Sequence, residues 1–230
     1  MRISGFQKFS MIDFNDKLCA VIFTQGCNLR CPYCHNPDLV PMLTQIPLVP
    51  SGEILDFMSE RVGKLDALVI TGGEPLLQKN LIPFLRAIKD LGYLIKLDTN
   101  GLLDQTLDKV IRSGLVDYIA MDIKASLANY EQVCKVKIAQ SNIQKSIELI
   151  KTSGIDHEFR TTVVEGLVSE EDIYAIAHEF IGESNYFIQN FTKSHHLDNS
   201  YKNEIGFSEK KLERIISNLT NKGIKVALRS

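Results

Sequence analysis

Short apolar segments alternate with amphipathic segments of roughly 10–15 residues along most of this chain, and no other feature constrains the fold as strongly. The apolar segments are rich in β-branched residues and end at glycine or at polar residues, which is typical of buried strands. We predict strands at 19–25, 67–71, 94–98, 118–123, 159–164, 185–191 and 225–228, helices at 80–91, 105–113, 140–152 and 208–221, and two further helices that begin at Ser51 and Ser169. Strands that are apolar on both faces and separated by helices pair in parallel βαβ units.

The number of these units favours an incomplete barrel. About six units in 230 residues predict an α/β fold with a parallel partial (β/α)6 barrel, because a closed eight-unit barrel typically takes about 250 residues. No proline- or serine-rich linker divides the chain, so we predict one domain over 1–230.

Charge and hydropathy argue against two classes of partner. Lys and Arg number 26 and Asp and Glu number 28, which gives a net charge of −2 and no global attraction to nucleic acid or to an anionic membrane. No apolar run reaches the roughly 18 residues of a membrane helix, and the N-terminal residues lack the apolar centre of a signal peptide. These features predict a cytoplasmic protein with no nucleic-acid or membrane partner.

Three of the five cysteines, Cys27, Cys31 and Cys34, follow the first predicted strand within eight residues. An odd number of cysteines without a secretory signal is a poor disulfide framework, and clustered thiols of this kind favour metal or cluster ligation. Iron–sulfur cubes usually take four thiolates, so three would leave one iron open. The alternative is a zinc-binding module completed by His35 or a distant ligand, although zinc motifs usually pair two separated halves. Cys19 and Cys134 are predicted to be buried apolar residues.

Chemistry in such sheets lies at the carboxyl ends of the strands, and unusual residues gather there in this sequence. They are Gly72, Gly73 and Glu74 after the second strand, Asp98, Thr99 and Asn100 at the end of the third, Asp122 and Lys124 at the fourth, Arg160 in the fifth, and Gln189 in the sixth. We therefore predict one site at this rim. The structural alternatives are that Asp98 and Asp122 cap the following helices and that Arg160 is an ion-pair partner.

The cysteine spacing, Cys27-x3-Cys31-x2-Cys34 with Tyr33 before the last cysteine, resembles the signature of the radical S-adenosylmethionine superfamily. The GGEP sequence at 72–75 resembles a second segment of that family. The resemblance implies the radical SAM type of partial barrel and a [4Fe–4S] cluster whose unique iron is chelated by S-adenosylmethionine. The reduced cluster would then cleave the sulfonium and yield a 5′-deoxyadenosyl radical. It also implies that the Gly72 and Gly73 backbone approaches the methionyl amino group, from which Glu74 accepts a hydrogen bond.

Three further segments are similar to the glycyl-radical-enzyme activating enzymes: His35-Asn36-Pro37, LDTNG at 97–101 and MDIK at 121–124. The overall likeness is greatest to the anaerobic ribonucleoside-triphosphate reductase activating proteins. The resemblance implies that the carboxylates at 98 and 122 lie near the cofactor's carboxylate. Some members hold a monovalent cation there, at a place that corresponds to Asp98, Thr99, Asp122 and the Met121 carbonyl. The resemblance also implies that 189–191 contacts adenosine, with a plain core position as the alternative for Phe191. Lys124 is expected to pair with the cofactor carboxylate or with Asp122.

The function implied by this likeness is removal of a hydrogen atom from a glycine Cα of a large glycyl radical enzyme. A flavodoxin- or ferredoxin-like protein would donate the electron. Two other enzyme functions remain open, a pyruvate formate-lyase-type activating enzyme and a small-molecule enzyme such as 7-carboxy-7-deazaguanine synthase. We assign no general base to His195 or His196, which lie in a polar segment predicted to be a solvated loop that covers the site or touches the partner.

Overall fold

The strands form one eight-stranded sheet in which the spatial order equals the chain order. The computed structural model describes residues 1–42, 46–193 and 196–229. The strands are β1 (Ile3–Ser10), β2 (Cys19–Thr24), β3 (Ala67–Gly72), β4 (Leu94–Thr99), β5 (Tyr118–Asp122), β6 (Asp156–Val163), β7 (Asn185–Asn190) and β8 (Val226–Arg229). All neighbours from β2 to β8 pair in parallel, whereas β1 is antiparallel to β2. The predicted parallel α/β fold is confirmed.

Helices connect the parallel strands. They are α1 (Ser51–Glu60), α2 (Leu81–Asp90), α3 (Asp104–Arg112), α4 (Tyr130–Cys134), α5 (Gln140–Thr152), α6 (Glu170–Ile176) and α7 (Glu209–Thr220). Ser169 caps α6 because its side chain accepts from the Asp172 N–H, while the Asp172 carboxylate accepts from the Ser169 N–H, so the predicted capping box is present. Within the described ranges, no helix combines the length and apolar character needed to cross a bilayer.

Strand β1 is the strand that the sequence analysis missed. It lies at the edge of the sheet and has only β2 as a neighbour. Its residues 7–9 are exposed, so it lacks the continuous apolar run that marks the buried strands.

The central strands of the sheet are largely buried on both faces, as their sequence pattern predicts. Along β2, Ala20 and Ile22 pack into the large core under the helices, while Cys19 and Val21 face a smaller cluster with Phe14 on the other side. This alternation follows from the opposite directions of successive side chains in a strand.

On the face of the sheet opposite the helices, charged residues take the place of apolar ones further along the sheet. Glu158 on β6 is buried and accepts from Tyr118 Oη at 2.9 Å and from both terminal nitrogens of Arg229 on β8. Lys96 Nζ on β4 lies 4.0 Å from the same carboxylate. Buried charges are tolerated when they are paired, so these contacts join β4, β5, β6 and β8 across the interior.

Candidate active site

The cysteine loop begins at Gly26, directly after β2, and folds back on itself. Gly26 has a φ of 97°, a backbone conformation that favours glycine. Its N–H donates to the Leu39 carbonyl at 2.7 Å, and the next N–H, of Cys27, donates to the Val40 carbonyl at 3.0 Å. These bonds close the loop, and Cys27, Cys31 and Cys34 all line one cavity.

The polar ends of the neighbouring strands line the same cavity. Of the thirteen predicted site residues, eleven do so: Cys27, Cys31, Cys34, Gly72, Gly73, Asp98, Thr99, Asn100, Asp122, Lys124 and Gln189. Some of the other residues that line the cavity had no predicted role, because their residue types do not indicate any particular chemistry. They are Leu29, Val40, Thr71 and Thr162. The parallel strands thus bring together residues that are as much as 162 positions apart, from 27 to 189.

Glu74 is fully buried and does not line the cavity. Its Oε1 accepts from the Leu76 N–H at 3.0 Å and from Thr99 Oγ1 at 2.8 Å, and its Oε2 accepts from the Asn100 N–H at 2.8 Å. The carboxylate therefore ties the loop after β3 to the end of β4. A hydrogen bond from the methionyl amino group to Glu74 stays a prediction, and these protein donors compete with it.

Burial raises the pKa of Glu74 to about 7, against the opposing effect of the hydrogen bonds from Asn100, Leu76 and Thr99. A carboxyl that holds its proton more tightly when folded stabilises the folded state at low pH, and this contribution is lost as the pH rises through the folded pKa. We expect the free energy of unfolding to fall by up to roughly 3 kcal/mol between about pH 4.5 and 7 from this group. Urea unfolding of the cluster-free protein across this interval measures it.

Glu74→Gln is expected to remove this part of the pH dependence, because the amide does not titrate. Glu148→Gln, at an exposed position on α5, is the matched control and retains the wild-type slope. Equal slopes for wild type and Glu74→Gln would show that Glu74 is ionised in the folded protein throughout the interval.

Asp98 and Asp122 pair with Arg160 on β6, which does not line this cavity. Arg160 Nε lies 2.8 Å from Asp122 Oδ1, and its terminal nitrogen lies 3.2 Å from Asp98 Oδ2. Lys124 Nζ lies 3.0 Å from Asp122 Oδ2. Burial alone would raise the pKa of Asp122, but Arg160 and Lys124 hold it well below its usual range. Arg160 thus forms the ion pairs of the structural alternative, and Lys124 pairs with Asp122, while a contact of either residue with the cofactor stays a prediction.

The alternative of Asp98 as a helix cap is wrong. Helix α3 begins at Asp104, and the residue before it, Leu103, makes no side-chain cap. The chain continues through Gly101 before the helix starts, so the Asp98 side chain is left to pair with Arg160 inside the sheet.

The three thiols have unlike surroundings. Burial raises the pKa of Cys27 to about 12 and also raises that of Cys34. The pKa of Cys31 is lowered instead, first by its hydrogen-bonding contact with Cys134 and against the effect of burial. Soft thiolates from one loop suit iron–sulfur ligation, so the donor set fits a [4Fe–4S] cluster.

The segment after β7 packs against the cysteine loop. The ring of His196 lies 4.7 Å from that of Phe191 and 5.1 Å from that of His35, between centroids. His196 is only 2 % exposed, so the prediction of a solvated loop is wrong at this residue. The Asp198 N–H also donates to the Pro32 carbonyl at 3.0 Å. His195 lies outside the described residues.

The residues predicted near adenosine separate in the structure. Gln189 lines the cavity. Asn190 donates instead to the Phe207 carbonyl at 3.0 Å, and Phe191 is buried in the core beside His35. Of the three, Gln189 is therefore the residue placed to reach a ligand.

Comparison with known proteins decides the family. The sequence matches the profile of the Radical SAM superfamily over residues 21–180. The chain belongs to this superfamily. Members use S-adenosylmethionine and a [4Fe–4S] cluster, so this radical SAM chain is an enzyme, and the zinc-binding-module alternative is wrong.

Two relatives and one solved structure show which kinds of protein this chain is similar to. The "Putative glycyl-radical enzyme activating enzyme MJ1227" of Methanocaldococcus jannaschii is 37% identical over 208 residues, which are 87% of this chain and 84% of that protein. The pyruvate formate-lyase-activating enzyme of Clostridium pasteurianum is 32% identical over 129 residues, 54% of this chain and 52% of that protein. A radical SAM methyltransferase from Sphaerobacter thermophilus superposes with a TM-score of 0.72 at 16% identity, covering 94% of this chain and 67% of the other.

Proposed function

We propose that this enzyme removes a hydrogen atom from a glycine Cα of a partner glycyl radical enzyme. The observation that carries the proposal is the single cavity in which the three motif thiols meet the polar ends of β3, β4, β5 and β7. The similarity to glycyl-radical enzyme activating enzymes, which extends over 87% of this chain in one case, supports a protein substrate. Anaerobic ribonucleoside-triphosphate reductase is our first choice of partner.

Each group of the site has a part in this reaction. When bound, the reduced cluster and S-adenosylmethionine supply the 5′-deoxyadenosyl radical that takes the hydrogen atom. Cys27, Cys31 and Cys34 hold the cluster. Lys124 lies on the cavity wall and attracts the cofactor's carboxylate. Asp122 pairs with the Lys124 ammonium and is itself held by Arg160.

The remaining cofactor-binding residues act through backbone and amide groups. Gly72 and Gly73 offer backbone to the methionyl end, and Thr99 and Asn100 line the cavity beside them. Gln189 offers an amide to the adenosyl end.

A second cavity adjoins the first and offers a route for the glycine. It shares Asp98 and Gln189 with the cofactor cavity. Its other walls include Lys96 and Arg160 in the middle of the sheet, together with Met11 and Ile12 between β1 and β2 and Arg229 of β8 at the two edges. A segment of a large partner can therefore reach the cofactor through the open side of the sheet.

A monovalent cation near Asp98 and Asp122 stays a prediction. Asp98 Oδ1 accepts no hydrogen bond from the described residues and lies 3.7 Å from Lys96 Nζ. That oxygen is the ligand atom such a cation would use, because hard cations prefer oxygen. A flavodoxin- or ferredoxin-like electron donor, a cytoplasmic location and a single domain over 1–230 belong to the same proposal.

The test is formation of a protein radical. The enzyme, reconstituted without oxygen to about four irons per chain, is reduced and mixed with S-adenosylmethionine and the candidate partner. We expect a glycyl radical signal by electron paramagnetic resonance, together with 5′-deoxyadenosine in proportion to it. A partner with its radical glycine changed to alanine is the control and gives no signal.

The alternatives give different results in the same experiment. A signal with pyruvate formate-lyase but not with the reductase would reassign the partner. Turnover of a small molecule, such as a deazaguanine precursor, without a radical on any glycyl radical enzyme would overturn the proposed substrate.

A further inference from the structure

Cys134 contacts the cysteine loop through both its backbone and its side chain. Its carbonyl oxygen accepts from the Arg30 N–H at 3.0 Å. Its Sγ lies 4.0 Å from Cys31 Sγ, although 103 positions separate the two residues. Helix α4 ends at Cys134, because the next residue, Lys135, has a φ of 55° and leaves the helical conformation. The bond from Arg30 therefore holds the last residue of this helix against the cysteine loop. Cys134 is buried, as predicted, but it is also a neighbour of a motif cysteine.

Both thiols are shielded from water. Cys31 is 7% exposed and Cys134 is fully buried, and both belong to the core cluster that also contains Tyr33 and Tyr130. Little of either thiol is open to water, so water competes weakly for this contact, and hydrogen bonds are stronger in such low-dielectric surroundings.

The direction of the contact follows from the chemistry of the two sulfurs. A Cys31 sulfur bound to iron is a thiolate and has no proton to donate. Cys134 is outside the ligand motif and keeps its thiol proton, so it is the donor of this pair. Hydrogen bonds to ligand sulfurs are among the factors that set the potential of iron–sulfur clusters, because they stabilise the more negative reduced form.

We propose that Cys134 is a positioning residue for the cluster, whose thiol donates a hydrogen bond to the Cys31 sulfur and makes the cluster easier to reduce. It acts through Cys31 and touches neither the cofactor nor the glycine. The proposal rests on the cluster that the superfamily uses and not on the glycyl radical partner. A wrong choice of partner would therefore leave it intact.

The test is a reductive titration of the reconstituted enzyme, with the cluster followed by electron paramagnetic resonance. We expect Cys134→Ala to make reduction about tenfold less favourable, a shift of about 59 mV to lower potential for one electron. Cys134→Ser keeps a donor and is expected to remain near the wild-type potential. Cys19→Ala removes another buried cysteine, whose Sγ lies 3.6 Å from the Ser10 carbonyl away from the cavity, and is expected to change nothing.

The iron content of each variant is measured alongside the potential. An unchanged potential in a fully loaded Cys134→Ala protein would overturn the proposal. So would the failure of both Cys134 variants to hold the cluster, because Cys134 would then be a ligand or a structural requirement. If only the alanine variant fails to load, a loaded Cys134→Ser protein with the wild-type potential supports the donor role, and one with the lowered potential overturns it.

Discussion

Cys31→Ala is expected to leave a protein that cleaves no S-adenosylmethionine. Cys31 is the central thiol of the motif and is only 7% exposed, so neither water nor a nearby side chain of the loop replaces it easily. Two remaining thiolates do not hold a cube that already lacks a fourth protein ligand. Iron and sulfide content, the visible absorption of the cluster, and the yield of 5′-deoxyadenosine after reduction all measure the loss.

Cys19→Ala is the matched control for this loss. Cys19 is a buried cysteine too, but it lies at the start of β2, at the opposite end of the strand from the cysteine loop. We expect this variant to keep the cluster and the cleavage activity. Normal cleavage by a Cys31→Ala protein would place the cluster elsewhere in the chain and remove the basis of the proposed function.

The cofactor cavity was largely predictable because the sequence repeats one simple unit. Each apolar run ends where its strand ends, and parallel strands place these ends at one rim. Asp98 and Lys124 could therefore be assigned to one site without any knowledge of their contacts. The same reasoning does not tell which way each side chain turns, so it did not predict that Arg160 pairs with Asp98 and Asp122 and does not line the cofactor cavity.

The contacts that escaped prediction join segments with no local signal. Nothing in the short helix around Cys134 indicates that it packs against Cys31, because the contact depends on how the connection after β5 folds over the loop. His196 is similar, since its polar neighbours indicate a surface loop while its ring packs on Phe191.

Strand β1, by contrast, did have a signal in the sequence. Apolar and polar residues alternate near the N-terminus, which is typical of a half-exposed strand.

The two glycines of the GGEP segment line the cavity as predicted, and the structure adds a reason for them. A Cβ on Gly73 would meet the carbonyl oxygen of Gly26 and lie 2.7 Å from its carbonyl carbon. A Cβ on Gly72, whose φ is 113°, would lie 2.7 Å from the Thr24 carbonyl oxygen. The glycines thus allow the ends of β2 and β3 to approach each other closely, independently of any ligand.

Gly73→Ala is therefore expected to damage both stability and the cluster site. The new methyl group meets backbone, which has no rotamer to change, so the strand ends must separate. Overpacking of this kind typically costs about 1–3 kcal/mol, and more when backbone must move. The movement acts on Gly26, which is next to Cys27, and on the bond from the Glu74 N–H to the Gly26 carbonyl, 2.8 Å long.

Urea unfolding and iron content after reconstitution measure the two effects. Gly52→Ala is the matched control, because a Cβ at that position in α1 meets nothing within 4 Å. We expect this control to unfold at or above the wild-type urea concentration, since alanine favours a helix more than glycine does. If Gly73→Ala instead keeps wild-type stability and binds a full cluster, the two strand ends have room to separate. The close approach of β2 and β3 would then not be what requires glycine at position 73.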